Sequence, residues 1–359
     1  MHHVTPTAGD LARRPRRHYG FGVGVRRTIT GPGSLAKSFA KMRSSLARSQ
    51  RFQIEPFTGF QRRINRGIDV PGLPRGRRRE GSSWAICLVK NEEDVIEFTV
   101  RHMLAQGVAG VIVVDNGSSD RTGVILDRLA RQDRRVHVGV DREERFFQGR
   151  KMSYLAHLAW RAGADWVIPF DADEQWFAPG LKLAPYLATL TVDSVSCEYR
   201  HVYPLPGEEL LVPGGGSSVQ VECEPTGWSK VAFRARRWVW IDEGNHRLLD
   251  DAEAPGRGLQ MLHYSARSLG QYARKTEEGV AALERAGMSQ VIGYHWRQWA
   301  VLTPQEREQA WRSYLDGHAG LLQPEPGNRV VVDDPGTWRT WDPEHRLTRV
   351  DSTPGPPPP

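Results

Sequence analysis

Trp166-Val-Ile-Pro-Phe-Asp171-Ala-Asp173-Glu174 is a short apolar run closed by carboxylates at Asp171, Asp173 and Glu174. A run of this length, with aromatic and β-branched members, reads as a buried strand. Pro169 is awkward inside it, because proline removes a ladder donor. Three further strand patterns lie upstream: Trp84–Val89, Val108–Val114, and the alternating Arg135–Val140. Helical patterns separate them. Val95, Ile96, Thr99, Val100, Met103 and Leu104 share one face, and Gly107 follows as a stop. Val124–Ala130 forms a second helix, and Lys151–Arg161 a third with Met152, Leu155, Ala156 and Leu158 inward. Strand alternating with helix through short connections predicts an α/β fold with a mostly parallel sheet. The residues that leave the strands are Lys90-Asn91, Asp115, Asp141 and Asp171. In a right-handed parallel sheet these ends share one edge, where open α/β folds bind ligands. At least three carboxylates are therefore expected to converge on one crevice.

The chemistry of that crevice is narrowed by what is missing. No Gly-x-Gly-x-x-Gly and no P-loop follows the first strand; the turn reads Lys90-Asn-Glu-Glu-Asp94. Glu92, Glu93 and Asp94 complement the dipole of the helix they open, and they would repel a pyrophosphate at its N-terminus. Asp171 and Asp173, two positions apart on a turn that leaves a buried strand, suit one hard divalent cation, which would in turn hold phosphate oxygens. The same spacing also occurs in solvated turns, where aspartate is common.

Leu88-Val-Lys-Asn-Glu-Glu93, Val113-Val-Asp-Asn-Gly-Ser-Ser-Asp-Arg-Thr122 and Pro169-Phe-Asp-Ala-Asp-Glu174 resemble the glycosyltransferases of family 2 and their close relatives, in the branch with an extended Asp-x-Asp-Glu motif. The resemblance runs from about Ser82 to Trp176. It thins afterwards, where Trp228-Ser-Lys230, His246 and Leu262-His-Tyr-Ser-Ala-Arg-Ser268 are similar to later blocks. It implies a GT-A fold, a Rossmann-like and mostly parallel sheet flanked by helices, here with an α-helical C-terminal extension. It also implies sugar transfer from a nucleotide-diphosphate donor to a hydroxyl acceptor, assisted by Mn²⁺ or Mg²⁺. A UDP-sugar is favoured, because Asp115 matches the carboxylate aimed at the base and a carboxylate accepts the uracil N3–H. The other reading of Asp115 is a turn aspartate bonding its own backbone. Asn91 borders the base or caps the next helix, and both roles are compatible. Arg150 and Lys151 contact the nucleotide or form a solvated basic pair. Asp171 matches the acid nearer the ribose, and Asp173 the direct metal ligand. His263 is the candidate further ligand, with His246 as the alternative. An inverting transferase needs a carboxylate beside the acceptor hydroxyl. Glu222, Glu224, Asp242 and Glu243 are all candidates, of which Asp242, after the aromatic run Trp238–Ile241, is selected. The implied acceptor is a glycan or a lipid-linked glycan in cell-envelope polysaccharide synthesis.

Two other readings compete. A haloacid-dehalogenase-type phosphatase also carries Asp-x-Asp after a strand, but here the motif follows three strands and continues into Gln175. An inactive nucleotide- or glycan-binding scaffold would keep the fold without the chemistry.

The rest of the chain bounds these readings. It has 359 residues and a net charge of +7. Residues 1–80 carry 18 Lys+Arg against 4 Asp+Glu, whereas the remainder carries 31 against 38. The basicity belongs to an arm, which argues against nucleic acid as the partner of the main body. The arm is expected to be largely disordered, apart from a basic stripe over residues 34–49 formed by Leu35, Phe39, Met42 and Leu46. Such a helix either lies on an anionic membrane or docks on the main domain. Cys87, Cys197 and Cys223 show no metal-ligand spacing, and the apolar runs are shorter than the ~20 residues of a spanning helix. A cytoplasmic protein, peripheral at most on the inner membrane face, is expected. The predicted organisation is the arm at 1–80, the GT-A domain at 82–265, a helical extension at 266–323 and a proline-rich, disordered tail at 324–359.

Overall fold

The protein is described by a computed structural model over residues 59–249, 256–318, 320–322 and 328–349. The arm segment 34–49 and the last ten residues lie outside this range.

Four parallel strands form the centre of the sheet: β2 (Ser83–Val89), β3 (Gly110–Asp115), β4 (Val136–Asp141) and β5 (Trp166–Pro169), in the order β4-β3-β2-β5. Their side chains alternate between two cores, as period-two geometry requires. Ala85, Cys87, Val89, Val111 and Val113 meet helices α2 (Ile96–Ala105) and α3 (Thr122–Gln132) on one face. Trp84, Ile86, Ile112 and Val114 meet α4 (Gln148–Ala162) on the other. The chain winds outward from β2 to β4 and then returns through α4 to place β5 on the far side of β2. That reversal makes the β2/β5 boundary the switch point of the sheet, and the crevice outside the carboxyl ends of these two strands is the natural ligand site. Pro169 is the last residue of β5 and lies beyond the antiparallel pairing of Trp166 and Val167 with Arg234 and Phe233, so its missing donor costs no ladder bond on that side.

The sheet continues past β5 through β9 (Ser229–Arg234), β7 (Ser194–Tyr203), β10 (Gly256–His263) and β6 (Glu174–Phe177). Of these added pairings only β7–β10 is parallel. Helix α5 (Leu183–Thr189) links β6 to β7, and β8 (Val219–Glu222) pairs with the upper end of β7. The predicted helical extension is present as α6 (Leu269–Arg285), α7 (Tyr294–Ala300) and α8 (Pro304–Leu315). Helix α8 opens with a full capping box, Thr303 and Glu306 each bonding the other's backbone.

Two expectations of disorder are corrected. Residues 59–80, assigned to the arm, hold α1 (Gly59–Gly67) and the short β1 (Ile68–Asp69), which adds antiparallel to β4. Ile64 and Gln61 are buried there, and Phe60 sits edge-on to Phe147 at 5.0 Å. Within the tail, residues 328–349 hold β11 (Arg329–Val332), which pairs with β8, and the short helix α9 (Arg346–Arg349). Val332, Trp338 and Leu347 are buried with Phe177, Val202 and Leu262. Each segment is too short to announce itself by periodicity, and each is stabilised by apolar area buried against a distant strand. No helix of the described residues is long and apolar enough to cross a membrane.

Candidate active site

The turn between β5 and β6 carries the three carboxylates. It is closed by Glu174 N–H bonding to the Asp171 carbonyl (3.1 Å) and by Glu174 Oε2 accepting from Asp171 N–H (3.0 Å). Tyr264 N–H bonds to the Asp173 carbonyl (2.9 Å), which fixes the turn to the end of β10. Side chains two positions apart on this turn point to separate partners. Asp171 Oδ1 accepts from Gln148 (2.9 Å) and Asn245 (3.0 Å), and its Oδ2 pairs with Lys230 (2.6 Å). Asp173 Oδ2 pairs with Lys275 (2.5 Å), with His263 Nε2 at 3.5 Å and Arg267 at 3.9 Å.

Electrostatics differentiate the acids. Burial works against ionisation of Asp173, yet Lys275, His263 and Arg267 hold its carboxyl well below the usual range. Glu174 is fully buried, and desolvation pushes it up to about 7 despite Lys230 at 2.9 Å. Glu92 and Asp94, at the start of the segment after β2, clasp the fully buried Arg267, and Glu92 also lies 3.0 Å from Lys275. Around the motif, five carboxylates (Glu92, Asp94, Asp171, Asp173, Glu174) thus face three cations (Lys230, Arg267, Lys275). A further anionic diphosphate would be repelled from such a pocket unless positive charge came with it.

A carboxylate beside an imidazole could hold a divalent cation. Asp173 carboxylate and His263 imidazole stand 3.5 Å apart, near the spacing of neighbouring ligands on one ion. Among the described residues, no three His, Cys, Asp or Glu side chains converge as a complete cage. His263 Nδ1 is buried and makes no hydrogen bond among the described residues. His246, the alternative ligand, bonds through Nδ1 to the Ser229 carbonyl (2.9 Å) beside Trp228, and burial lowers it to about 4.

The remaining predicted residues fall into two groups. Asn91 and Asp115 stand on the β2 and β3 ends beside the crevice. Asn91, in the left-handed region (φ 54°), accepts from Ser119 N–H (2.7 Å) and donates to Glu278 on α6 (2.7 and 2.8 Å). Asp115 accepts from the backbone N–H (3.0 Å) and hydroxyl (2.5 Å) of Ser118, both on Oδ1. This is the turn bonding foreseen as its second reading. Arg150 and Lys151, by contrast, are packed inside. Lys151 pairs with Asp141 (2.6 Å) and donates to the Glu143 carbonyl, while Arg150 donates to Gln61 (3.1 Å) and lies over the Phe60 ring. The solvated-pair reading does not hold for either.

Asp242 caps a 3₁₀ turn, Glu243–Asn245, and pairs with the exposed Arg247 (2.8 Å). The turn folds across Asp171 through Asn245, and Glu243 accepts from Gly149 N–H (3.0 Å) at the start of α4. Gly149 is required there, because a Cβ would stand 2.5 Å from the Ile241 carbonyl oxygen. Of the other base candidates, Glu222 accepts from Tyr203 (2.6 Å) and His201 N–H (3.1 Å) on the β7/β8 side.

Sequence reasoning assigned no role to Lys230, Arg267, Lys275, Asn245 or Gln148. Lys230 is buried within β9, and that burial follows from the pairing of β9 with β5 and β7 rather than from its neighbours in sequence.

A mostly parallel α/β core with carboxylates at its switch point is an architecture of GT-A type. Residues 84–208 match the model of glycosyl transferase family 2, and the chain is a glycosyltransferase. The matched segment holds Asn91, Asp115, Asp171 and Asp173, and ends before Lys230, Asp242, His263 and Lys275. No protein of curated function matches the sequence. Among solved structures, TarS of S. aureus (residues 1–349) is 14% identical, with 66% of this chain and 79% of that chain covered at a TM-score of 0.33. The mannosyltransferase PcManGT of Pyrobaculum calidifontis, in complex with GDP-Man and Mn²⁺, is 15% identical, covering 79% and 85% at 0.34. Glucosyl-3-phosphoglycerate synthase of Mycobacterium tuberculosis, in complex with Mn²⁺, UDP and phosphoglyceric acid, is 24% identical, covering 33% and 43% at 0.24.

Proposed function

We propose that this glycosyltransferase moves a sugar from a nucleotide-diphosphate donor, a UDP-sugar in the first instance, to a hydroxyl of a glycan or lipid-linked acceptor, with Mn²⁺ or Mg²⁺ bound, in glycan or cell-envelope polysaccharide synthesis. The observation that carries this reading is the pair Asp171 and Asp173 at the switch point of the sheet, in a pocket whose carboxylates outnumber its cations.

Asp173 and His263 would hold the metal, with diphosphate oxygens completing its shell. Bound there, the metal supplies Lewis-acid stabilisation of the departing diphosphate. Asp171, fixed by Gln148, Asn245 and Lys230, would orient the donor ribose and sugar. Asn91 and Asp115 would flank the base, Asp115 accepting the uracil N3–H through the oxygen that the Ser118 turn leaves over. Arg150 and Lys151 act as framework, holding the α4 start against which the 241–248 loop packs. Asp242 would take the proton of the acceptor hydroxyl, displacing Arg247 from its carboxylate.

Calorimetry of UDP binding with and without Mn²⁺, on wild type and Asp173→Asn, tests the reading. Metal-dependent binding lost in the variant is the expected result. Binding of GDP in place of UDP would change the donor and remove the role given to Asp115. Binding of neither nucleotide would overturn the proposal.

A further inference from the structure

Lys275 lies outside the matched family segment and outside every motif of the sequence, yet its ammonium occupies the most contested position in the site. Nζ bridges Asp173 Oδ2 (2.5 Å) and Glu92 Oε1 (3.0 Å). His263 Nε2 stands 3.5 Å from the same Asp173 oxygen. A cation liganded by Asp173 and His263 would therefore meet the Lys275 ammonium on the same carboxylate oxygen.

The two basic side chains nearest Asp173 differ in their freedom to leave. Arg267 is fully buried and held on every side by Glu92, Asp94 and the Tyr264 carbonyl (2.8 Å). Its planar fork is locked. Lys275 is a single point charge on a four-carbon stem projecting from α6, and its side chain keeps a quarter of its surface in solvent. Like charges on one carboxylate oxygen repel strongly in a poorly solvated pocket, so Lys275 is the group that must move.

We propose that Lys275 is a displaceable counter-ion of the donor site. In the free enzyme it neutralises Asp173 and Glu92 and so competes with a divalent cation for Asp173. When nucleotide diphosphate arrives with the metal, Lys275 swings from the carboxylates onto the diphosphate oxygens. The site then binds metal weakly alone and tightly with donor, and by linkage the donor equally needs the metal. This inference rests on the donor-site reading above and assigns the coupling to one residue from the C-terminal extension.

The test is Mn²⁺ binding to the whole protein, followed by the loss of the free-ion electron paramagnetic resonance signal, with and without UDP. Wild type is compared with Lys275→Met, Lys275→Gln and Asp173→Asn. Both Lys275 variants should bind Mn²⁺ alone at least tenfold more tightly than wild type. Both should bind UDP in the presence of Mn²⁺ at least tenfold more weakly. The enhancement of each ligand by the other should shrink accordingly. Lys275→Gln keeps a polar contact to Asp173 and serves if the Met variant does not fold, with urea midpoints checking both. Unchanged or weaker Mn²⁺ binding in the folded variant would overturn the inference, as would unchanged binding of UDP. Asp173→Asn separates the two levels. If it abolishes metal and UDP binding while the Lys275 variants behave as wild type, the donor site stands and the counter-ion role falls. If Asp173→Asn changes nothing, the donor site itself falls.

Discussion

His102 provides a prediction whose size follows from the structure. It sits on the inward face of α2, directly behind the carboxylate turn, and is buried. Its Nε2–H donates to the Trp176 carbonyl on β6 (2.7 Å), and its Nδ1 faces the Gln175 amide nitrogen at 3.4 Å. Gln175 is itself held by the Tyr264 hydroxyl (2.8 Å) and the Pro335 carbonyl (2.8 Å). Protonating Nδ1 would set two donors against each other inside the protein. Burial, reinforced by Arg339, accordingly lowers His102 to about 4. The unfolded chain titrates near 6.5 and so binds the proton first. A depressed folded value means that the stabilisation is fully present above pH 6.5 and is lost as the pH falls towards 4. Linkage between these two values gives a loss of about 2 kcal/mol between pH 7 and pH 5. His201, His246 and His295 are also lowered by burial and add to the acid sensitivity of the wild type. They remain in a His102→Gln variant, so the difference between the two proteins isolates His102. Urea denaturation at both pH values should show the variant less stable at pH 7, and its loss on acidification smaller by about 2 kcal/mol. Parallel pH dependences in the two proteins would refute the reasoning, because they would mean that His102 is not held neutral in the folded state.

Two further predictions concern framework residues. Asp165 is fully buried, pairs with Arg78 and with Arg234 (2.6 Å), and accepts from Gly81 N–H (2.8 Å). Asp165→Ala strands Arg234 and should lower stability by about 3–5 kcal/mol in urea titration, the usual result of breaking a buried pair; a loss below about 1 kcal/mol would assign the cluster to the solvated surface. Gly149→Ala drives a Cβ against the Ile241 carbonyl, at a typical overpacking cost of about 1–3 kcal/mol. Because the displaced loop carries Asn245 onto Asp171, UDP affinity in the presence of Mn²⁺ should fall in a still-folded variant, and unchanged affinity would detach that loop from the donor site.

The sequence by itself determined the parallel core and its functional edge. Strand and helix periods are local properties, and once β2, β3, β4 and β5 are recognised, the handedness of their crossovers puts Asn91, Asp115 and Asp171 on one rim. The capping box that opens α8 at Thr303 is likewise a local feature, written within four neighbouring residues. Tertiary structure decided everything that depends on a partner far away in the chain. Whether Arg150 and Lys151 are solvated or buried is set by Gln61 and Asp141, not by their neighbours in sequence. Residues 59–69 and 328–349 are ordered because β4, β8 and Phe177 lie ready to cover them. Lys230 and Lys275 reach the motif from 59 and 102 residues away. A charge can enter a protein interior only when an opposite charge meets it there. That meeting belongs to the folded chain, so the carboxylates of this site were visible in the sequence, and the cations that hold them were visible only in the fold.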